Sequence, residues 1–417
     1  MVNTPRQVLF ASLVGTAIEF FDFYIYANAT VLVFPELFFP KSDPAIARLG
    51  AFLTFALAFL ARPVGSALFG HFGDRVGRKT TLVAALLTMG LSTVAIGLLP
   101  TYASIGLAAP LLLSLCRVGQ GLGLGGEWGG AVLLAVENAP PGKRAWYGMF
   151  PQLGAPIGFL FAGGIFLLLS KSMTNEQFLS FGWRIPFLAS AALVFVGLYV
   201  RLTITETPVY AAALKDRAPV KLPMADVFRR HSRTVVLGIL ISLSAFVIFY
   251  LLQVFTLSWA TTALGYTRER FLMIQLFGIL FFAGTVPISA LLAERGRRPM
   301  LMWVNVAIVL YGFALAPLFV AGTTGAVVMM AAGMALVGLV YGPLGTTLSE
   351  LFPTAVRYSG VSLTFNLAGI FGASLAPYIA TELANASLAY VGLYLSASGA
   401  ISLLGLAATR ETKHDSL

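Results

Sequence analysis

The sequence contains few charged residues. Asp, Glu, Lys and Arg make up only 11% of its 417 residues, whereas 58% of the residues are hydrophobic. Soluble domains carry about 25% charged residues. A chain with so few charged residues cannot form a protein surface that faces water, so we expect lipid to be its main solvent.

Cysteine and histidine are also scarce, with one cysteine, Cys116, and three histidines. These counts exclude a disulfide framework and a zinc site of the usual Cys and His spacing. The sequence has no Gly-x-x-x-x-Gly-Lys-Ser/Thr loop for ATP and no nucleophile elbow. We therefore expect no metal, no cofactor and no enzymatic activity. The net charge is +10, but the charged residues lie between apolar stretches and not on one face of a soluble domain. We therefore expect no nucleic-acid partner.

Long apolar stretches dominate the chain, and each is close to the roughly 20 residues that cross a bilayer. They predict an all-α membrane protein with twelve transmembrane helices. The run after Arg6 is too long for the hydrophobic core of a signal peptide, so we expect it to remain as the first helix. The predicted spans are 8–34, 50–70, 80–99, 106–136, 146–169, 184–203, 234–260, 270–292, 300–320, 324–348, 357–383 and 388–408.

The positive charges are distributed unequally about these spans. Of the 27 Lys and Arg residues, 19 fall on the side of the two termini and two, Arg62 and Arg117, fall within spans. An excess of Lys and Arg marks the cytoplasmic side, so both termini are predicted to be cytoplasmic. The six on the opposite side are Lys41, Arg48, Lys171, Arg184, Arg268 and Arg270.

The longest polar break separates six spans from six. Residues 1–203 (the N-half) and 234–417 (the C-half) are therefore predicted to be two six-helix bundles, joined by a cytoplasmic linker at 204–233. Three features recur in both halves, as expected of a parallel internal repeat. They are a basic loop at 73–79 and 294–298, an acid seven residues before an arginine at 137–144 and 350–357, and a Glu-Thr pair at 206–207 and 411–412.

Five ionisable residues lie inside the predicted first, second and fourth spans. An ionised side chain at bilayer depth costs about 2.5–3.5 kcal/mol on insertion scales, so such groups normally pair or face a cavity. Three carboxyls stand against two guanidiniums, which leaves one carboxyl in excess to bind a proton. We predict Asp22 or Glu19 as the proton site, with Arg117 as its charge partner. The alternative is a static ion-pair network. The five residues are Glu19, Asp22, Arg62, Arg117 and Glu127.

An arginine also suits an anionic substrate, because a guanidinium donates two hydrogen bonds to a carboxylate. Arg117 and Arg62 are the candidates. The C-half spans offer neutral polar and aromatic residues, which are expected either to contact the organic part of a substrate or to form helix-to-helix hydrogen bonds. The candidate substrate-binding residues are Arg117, Arg62, Tyr26, Tyr250, Gln253, Asn305, Tyr341 and Asn366.

A cytoplasmic gate is predicted at the repeated loops. Basic residues after the second span are expected to reach acids after the fourth when this side is closed. The alternative is that these basic residues only fix the topology. The predicted gating residues are Asp74, Arg75, Arg78, Glu137, Arg144, Glu350 and Arg357.

Several motifs resemble those of a known family. The segment Gly70–Lys79 is similar to the loop between helices two and three of the major facilitator superfamily. Segments 15–23, 117–130 and 350–360 resemble its metabolite:proton symporters, which include shikimate, 2-oxoglutarate, citrate and proline/betaine carriers. Phe20 departs from this pattern, since many of these proteins have tryptophan there. The resemblance covers nearly the whole chain and implies the major facilitator fold, alternating access and a multi-pass location in a bacterial inner membrane.

The leading functional prediction is therefore proton-coupled uptake of a small organic acid. Two alternatives remain, a proton symporter of a zwitterionic osmolyte and an efflux antiporter. The Gly-Pro pattern typical of drug antiporters is incomplete in span five, which favours symport. The expected partners are a small carboxylate, protons and the lipid bilayer, and we expect a monomer.

Overall fold

The computed structural model describes residues 5–40, 44–76, 78–203, 223–353 and 356–413, with side chains described in these ranges except at 5, 8, 70–82, 203, 223 and 225. These residues form helices and turns and contain no strand. Helices suit an apolar chain because lipid offers no partner for a backbone N–H or C=O group, and a helix satisfies both internally.

The N-half contains seven long helical segments. They are α1 (Pro5–Leu32), α2 (Pro44–Val76), α3 (Arg78–Leu98), α4 (Ala108–Gly125), α5 (Trp128–Glu137), α6 (Arg144–Ser172) and α7 (Arg184–Thr203). Short helices Phe34–Leu37, Tyr102–Ile105 and Asn175–Gln177 and a π-helical turn, Phe178–Gly182, lie between them.

The C-half contains seven main helical segments, of which α12 is only seven residues long. They are α8 (Ser232–Tyr250), α9 (Arg268–Ala293), α10 (Arg297–Val320), α11 (Gly322–Tyr341), α12 (Leu344–Glu350), α13 (Arg357–Gly369) and α14 (Leu388–Ala407). π-Helical turns Leu251–Phe255 and Ile370–Ser374 lead into the further helices Thr256–Thr262 and Ala376–Ala386. Within the predicted linker, 204–222 lie outside the described residues, and Pro223–Arg230 is a short helix against α8 and α13.

Ten helices of the described chain are long and apolar enough to cross a membrane, and Val83–Leu98 is a shorter apolar helix. The predicted fourth span, 106–136, is not one helix, because α4 ends at Gly125 and α5 begins at Trp128. The C-half has a similar interruption at Gly342 and Pro343, between α11 and α12. Twelve crossings and cytoplasmic termini remain predictions.

The helices pack mainly within their own half. In the N-half, α1 lies along α6, α2 along α4, and α3 along α7. The halves meet where α6 packs on α9 and where α13 packs on α2 and α5.

Glycine permits the closest of these approaches. A Cβ atom at Gly121 or Gly125 of α4 would strike the backbone carbonyl of Ala58 or Arg62 in α2. Such contact between small residues is typical of membrane helices. It also fixes Arg62 of α2 at the height of the interruption after Gly125.

Candidate functional site

A cavity lies between the two halves, at the middle of the molecule. Its wall is mostly aromatic, which suits the apolar body of a small ligand. The lining residues are Glu19, Phe20, Phe23, Tyr24, Arg62, Leu124, Trp128, Ala155, Ala245, Phe246, Phe249, Tyr250, Phe282, Val337, Tyr341, Phe365 and Asn366.

Two of these residues, Glu19 and Arg62, bring opposite charges to the cavity. The Arg62 guanidinium carbon lies 4.7 Å from the ring centre of Phe23 and 4.5 Å from that of Phe59. Both side chains are buried, and Glu19 Oε1 and Arg62 Nε have no hydrogen-bond partner among the described residues. The aromatic faces therefore stabilise a cation that the described side chains leave partly without hydrogen bonds.

Asp22 lies one helical turn from Glu19 but does not line the cavity. It is fully buried between α1 and α7, where Ser190 donates a hydrogen bond to its Oδ1 atom. Thr93 of α3 also lies within hydrogen-bonding reach of Asp22. Its second oxygen, Oδ2, has no partner among the described residues. The two candidate proton acceptors therefore occupy different environments.

Arg117 is also fully buried and lies outside the cavity lining. Its guanidinium carbon lies 3.9 Å from the ring centre of Tyr26, and Nη1 donates to Gln120 at 2.9 Å. Gln120 in turn donates to Thr93 Oγ1 at 2.7 Å. Arg117 is thus connected to Asp22 through two neutral side chains and not by an ion pair within the described residues.

The prediction of one excess carboxyl is wrong, because a third arginine, which is half-buried, pairs with one of the three acids. Arg201, near the end of α7, forms an ion pair with Glu127 at the interruption between α4 and α5. The Arg201 side chain is 14% exposed and that of Glu127 is 2% exposed. Three acids therefore face three arginines. An acid able to bind a proton must be identified by its surroundings and not by counting.

The predicted substrate-binding residues divide into two groups. Tyr250, Tyr341 and Asn366 line the cavity together with Arg62, whereas Tyr26, Gln253 and Asn305 do not. The latter three bond within the helix bundle. Tyr26 donates to Thr54 at 2.9 Å, Asn305 accepts from Ser244 at 2.6 Å, and the Gln253 amide lies 3.4 Å from the sulfur of Met334.

The repeated acid and arginine pairs cross between the halves. Arg144 Nη1 of the N-half lies 3.6 Å from Glu350 Oε1 of the C-half. Arg357 Nη1 of the C-half lies 4.0 Å from Glu137 Oε1 of the N-half. We call this end of the molecule the gate end. The predicted gating side chains Asp74, Arg75 and Arg78 lie outside the described residues.

Glu350 is also bonded within the C-half. Arg297 Nη2 donates to it at 3.2 Å, and Thr412 Oγ1 donates at 2.8 Å. Arg297 belongs to the basic loop at 294–298, so its position in the repeat could have identified it. No role is predicted for Arg297 from the sequence.

Two further contacts between the halves are not predicted by the sequence. The rings of Trp128 and Phe365 stack across the halves with their centres 3.4 Å apart, and Gln152 accepts from Trp128 and donates to the Tyr341 carbonyl. Long-range contacts of this kind leave no local pattern in the sequence. Arg201 did carry a signal, since it falls inside predicted span 184–203 yet was counted as cytoplasmic.

Comparisons with known proteins agree with this architecture. The xylose transporter of Escherichia coli, solved in a partially occluded inward-open conformation, superimposes with a TM-score of 0.78 over 99% of each chain at 18% identity, and so shows the same fold. The family model described as Major Facilitator Superfamily matches residues 12–377.

Relatives also match at the level of sequence. An inner membrane metabolite transport protein of E. coli K12 is 54% identical over all of this chain and 96% of its own length. A shikimate transporter of E. coli K12 is 38% identical over 92% of this chain and 88% of its own length. The chain belongs to the major facilitator superfamily. It is a multi-pass transporter of the inner membrane and not an enzyme.

Proposed function

We propose that the protein takes up a small organic acid together with protons, by alternating access of the cavity to the two sides of the membrane. The observation that carries this proposal is that one aromatic cavity is lined by both Arg62 and Glu19, each with an unpartnered polar atom. Arg62 would bind the carboxylate of the substrate. Asp22 and Glu19 are the candidate proton carriers, since both are buried carboxyls with an oxygen left free.

The comparisons support proton coupling. A solved neighbour at 17% identity and a TM-score of 0.77 is a proton:xylose symporter. A relative 32% identical over 98% of this chain and 84% of its own length is a proline/betaine transporter of Salmonella typhimurium, which makes a zwitterionic substrate a candidate as well. We further propose twelve spans with cytoplasmic termini, two six-helix bundles formed by 1–203 and 234–417, and a monomer.

A zwitterionic substrate is the second candidate, and the position of Glu19 favours it. The cavity brings an acid as well as an arginine to a wall of aromatic rings, and such rings also attract an organic cation. In this version Arg62 binds the carboxylate and Glu19 binds the cationic group.

Thermal-shift screening of the purified protein separates these candidates. Organic acids and zwitterions of similar size would be tested at two values of pH. We expect the acids to raise the melting temperature more at low pH, where protonated Glu19 does not repel them. Stabilisation by no acid at either pH would contradict the leading proposal.

The Glu19→Gln variant sharpens this test, because it removes one charge and keeps the shape. At either pH the variant should bind an organic acid with the affinity that the unchanged protein shows at low pH. Its affinity for a zwitterion should be lower than that of the unchanged protein. Uptake into proteoliposomes with an imposed pH gradient then tests coupling for whichever ligand binds.

A further inference from the structure

The interruption between α4 and α5 is the point where the N-half offers backbone acceptors to the C-half. Where a helix stops, its last carbonyl groups have no N–H partner within the helix. The Gly125 carbonyl accepts from Asn366 at 3.0 Å, and the Gly126 carbonyl accepts from Tyr358. Both donors belong to α13, so the interruption fastens the two halves together between the cavity and the gate end.

The next two residues, Glu127 and Trp128, contact different parts of the molecule. Trp128 stacks on Phe365 of α13, while Glu127 forms its ion pair with Arg201 of α7. Glu127 therefore connects the interface to the interior of the N-half. A buried carboxylate of this kind needs its cation, because loss of one partner leaves an uncompensated charge.

Arg201 lies next to α1 as well. A Cβ atom at Gly15, one turn before Glu19, would lie 3.8 Å from Arg201 Nη2. Arg201 also interacts electrostatically with Glu19, and so it lies within the influence of two acids on different helices.

We infer that Arg201 is a positioning residue that couples protonation of Glu19 to closure of the interface at the interruption. When Glu19 is protonated, Arg201 pairs with Glu127 alone and holds the Gly125 and Gly126 carbonyls toward α13. When Glu19 is ionised, it competes for the same guanidinium, so Glu127 is held less firmly and the interface opens. This inference depends on the proposed function, because it assumes that Glu19 binds a proton.

Other charged groups also face these residues. The titratable and charged groups that act on Glu19 are Arg201, Arg62, Asp22 and Tyr341, and those that act on Arg201 are Glu127, Glu19 and Tyr358. Arg62 belongs to the cavity wall, and Asp22 has its own donor in Ser190. Among the described groups that act on Glu19, Arg201 also forms an ion pair with Glu127 at the interruption.

A cysteine at the interface reports its opening without need of a substrate. Ser362 of α13 is 2% exposed and lies against Gly129 of α5. Ser362→Cys would be introduced in a Cys116→Ala background and labelled with a maleimide at about pH 5.5 and about pH 8. The rate at each pH is divided by that of Ser180→Cys, an exposed position, which removes the effect of pH on the thiol itself.

The expected relative rate rises about fivefold or more from low to high pH, within the usual range of coupling between sites. Glu19→Gln should keep labelling slow at both values. Arg201→Gln should remove the pH response, and Arg201→Lys should retain part of it. Arg184→Gln is the matched control, because Arg184 of the same helix donates to the carbonyls of Gly97 and Leu99. It should retain the full response.

The double variant Arg201→Gln, Glu127→Gln separates coupling from simple charge compensation. If Arg201 only neutralises Glu127, removal of both charges restores the pH response, and the inference is overturned. If Arg201 couples Glu19 to the interface, the response stays absent. Absence of a pH response in the Ser362→Cys parent would also overturn the inference.

Two other outcomes distinguish this inference from the proposed function. A response that persists in Glu19→Gln would show that Glu19 is not the proton site, which contradicts that part of the proposed function. A response that is lost in Glu19→Gln but persists in Arg201→Gln would overturn the role of Arg201 alone.

Discussion

The interiors of the two halves differ in what their buried polar groups do. In the N-half, Glu19, Asp22, Arg62 and Arg117 each retain an atom without a partner among the described residues. In the middle of the described C-half spans the buried polar side chains are neutral, and the buried charges Arg297, Glu350 and Arg357 lie at helix ends.

The neutral groups of the C-half are mostly engaged with neighbouring helices. Gln275 donates to the carbonyls of Leu252 and Gln253 at 3.1 and 2.8 Å, and Tyr311 donates to that of Met329 at 2.7 Å. The free oxygens of Gln253 and Gln275 do not reach the cavity lining. Polar residues of the C-half interior thus mainly hold helices together, while several charged residues of the N-half interior keep an atom without a hydrogen bond among the described residues.

The largest expected effect comes from removal of the candidate proton sites. Asp22→Asn or Glu19→Gln should abolish accumulation driven by a pH gradient, because one proton per cycle supports about tenfold accumulation per pH unit and a neutral amide supports none. Exchange of labelled for unlabelled substrate across proteoliposomes should continue, since it moves no net proton. Full accumulation in both variants would mean that neither acid couples transport.

A smaller effect is expected at the cavity arginine. Arg62→Gln should weaken binding of a carboxylate substrate about 10- to 100-fold, the usual loss when a hydrogen bond to a charged group is removed. Arg62→Lys should recover part of this affinity. The matched variant is Arg117→Gln, because Arg117 is a buried arginine that lies outside the cavity lining. This substitution should change the dissociation constant of the substrate about twofold or less. Calorimetric titration would measure the dissociation constants of all three variants. A larger loss of affinity in Arg117→Gln than in Arg62→Gln would show that Arg117, and not Arg62, binds the carboxylate.

The sequence predicted the helical membrane fold and its family well, because apolar length and the loop motifs are local signals. Glu19, Asp22, Arg62, Arg117 and Glu127 could also be recognised as buried from the apolar residues beside them. Their partners could not, since each contact joins residues that are far apart in the sequence. Arg201 shows the consequence: because its pairing with Glu127 could not be predicted, three acids seemed to face only two arginines.

The interruption of the fourth span also went unpredicted. The glycines from Gly119 to Gly130 indicated close helix packing, and Gly121 and Gly125 do approach α2 closely. The same glycines remove the side chains that would stabilise a continuous helix. The carbonyls freed where this segment stops accept hydrogen bonds from Asn366 and Tyr358, which lie more than 200 residues away in the sequence and leave no local signal.

The gate end offers a comparison between two acids, Glu350 and Glu137, that each lie near an arginine of the other half. Glu350→Gln should lower the melting temperature clearly, because Arg297 is 2% exposed and loss of a buried partner costs about 3–5 kcal/mol. Glu137→Gln should lower it less, since the Glu137 side chain is 26% exposed and such a pair contributes about 1 kcal/mol or less. Equal shifts in a thermal denaturation assay would show that Arg297 does not depend on Glu350.

The smallest effect is expected from Asn305→Ala in the C-half interior. Asn305 accepts from Ser244 at 2.6 Å and donates to the Leu301 carbonyl at 2.9 Å, and hydrogen bonds between membrane helices contribute about 0.6 kcal/mol on average. The melting temperature should therefore fall slightly, while accumulation driven by a pH gradient stays unchanged. Asn366→Ala is the matched variant, because Asn366 lines the cavity and donates to Ser66 at 2.7 Å across the halves, so it should slow transport. If Asn305→Ala impaired accumulation as much as Asn366→Ala did, the C-half interior would take part in coupling, and the contrast between the halves would be lost.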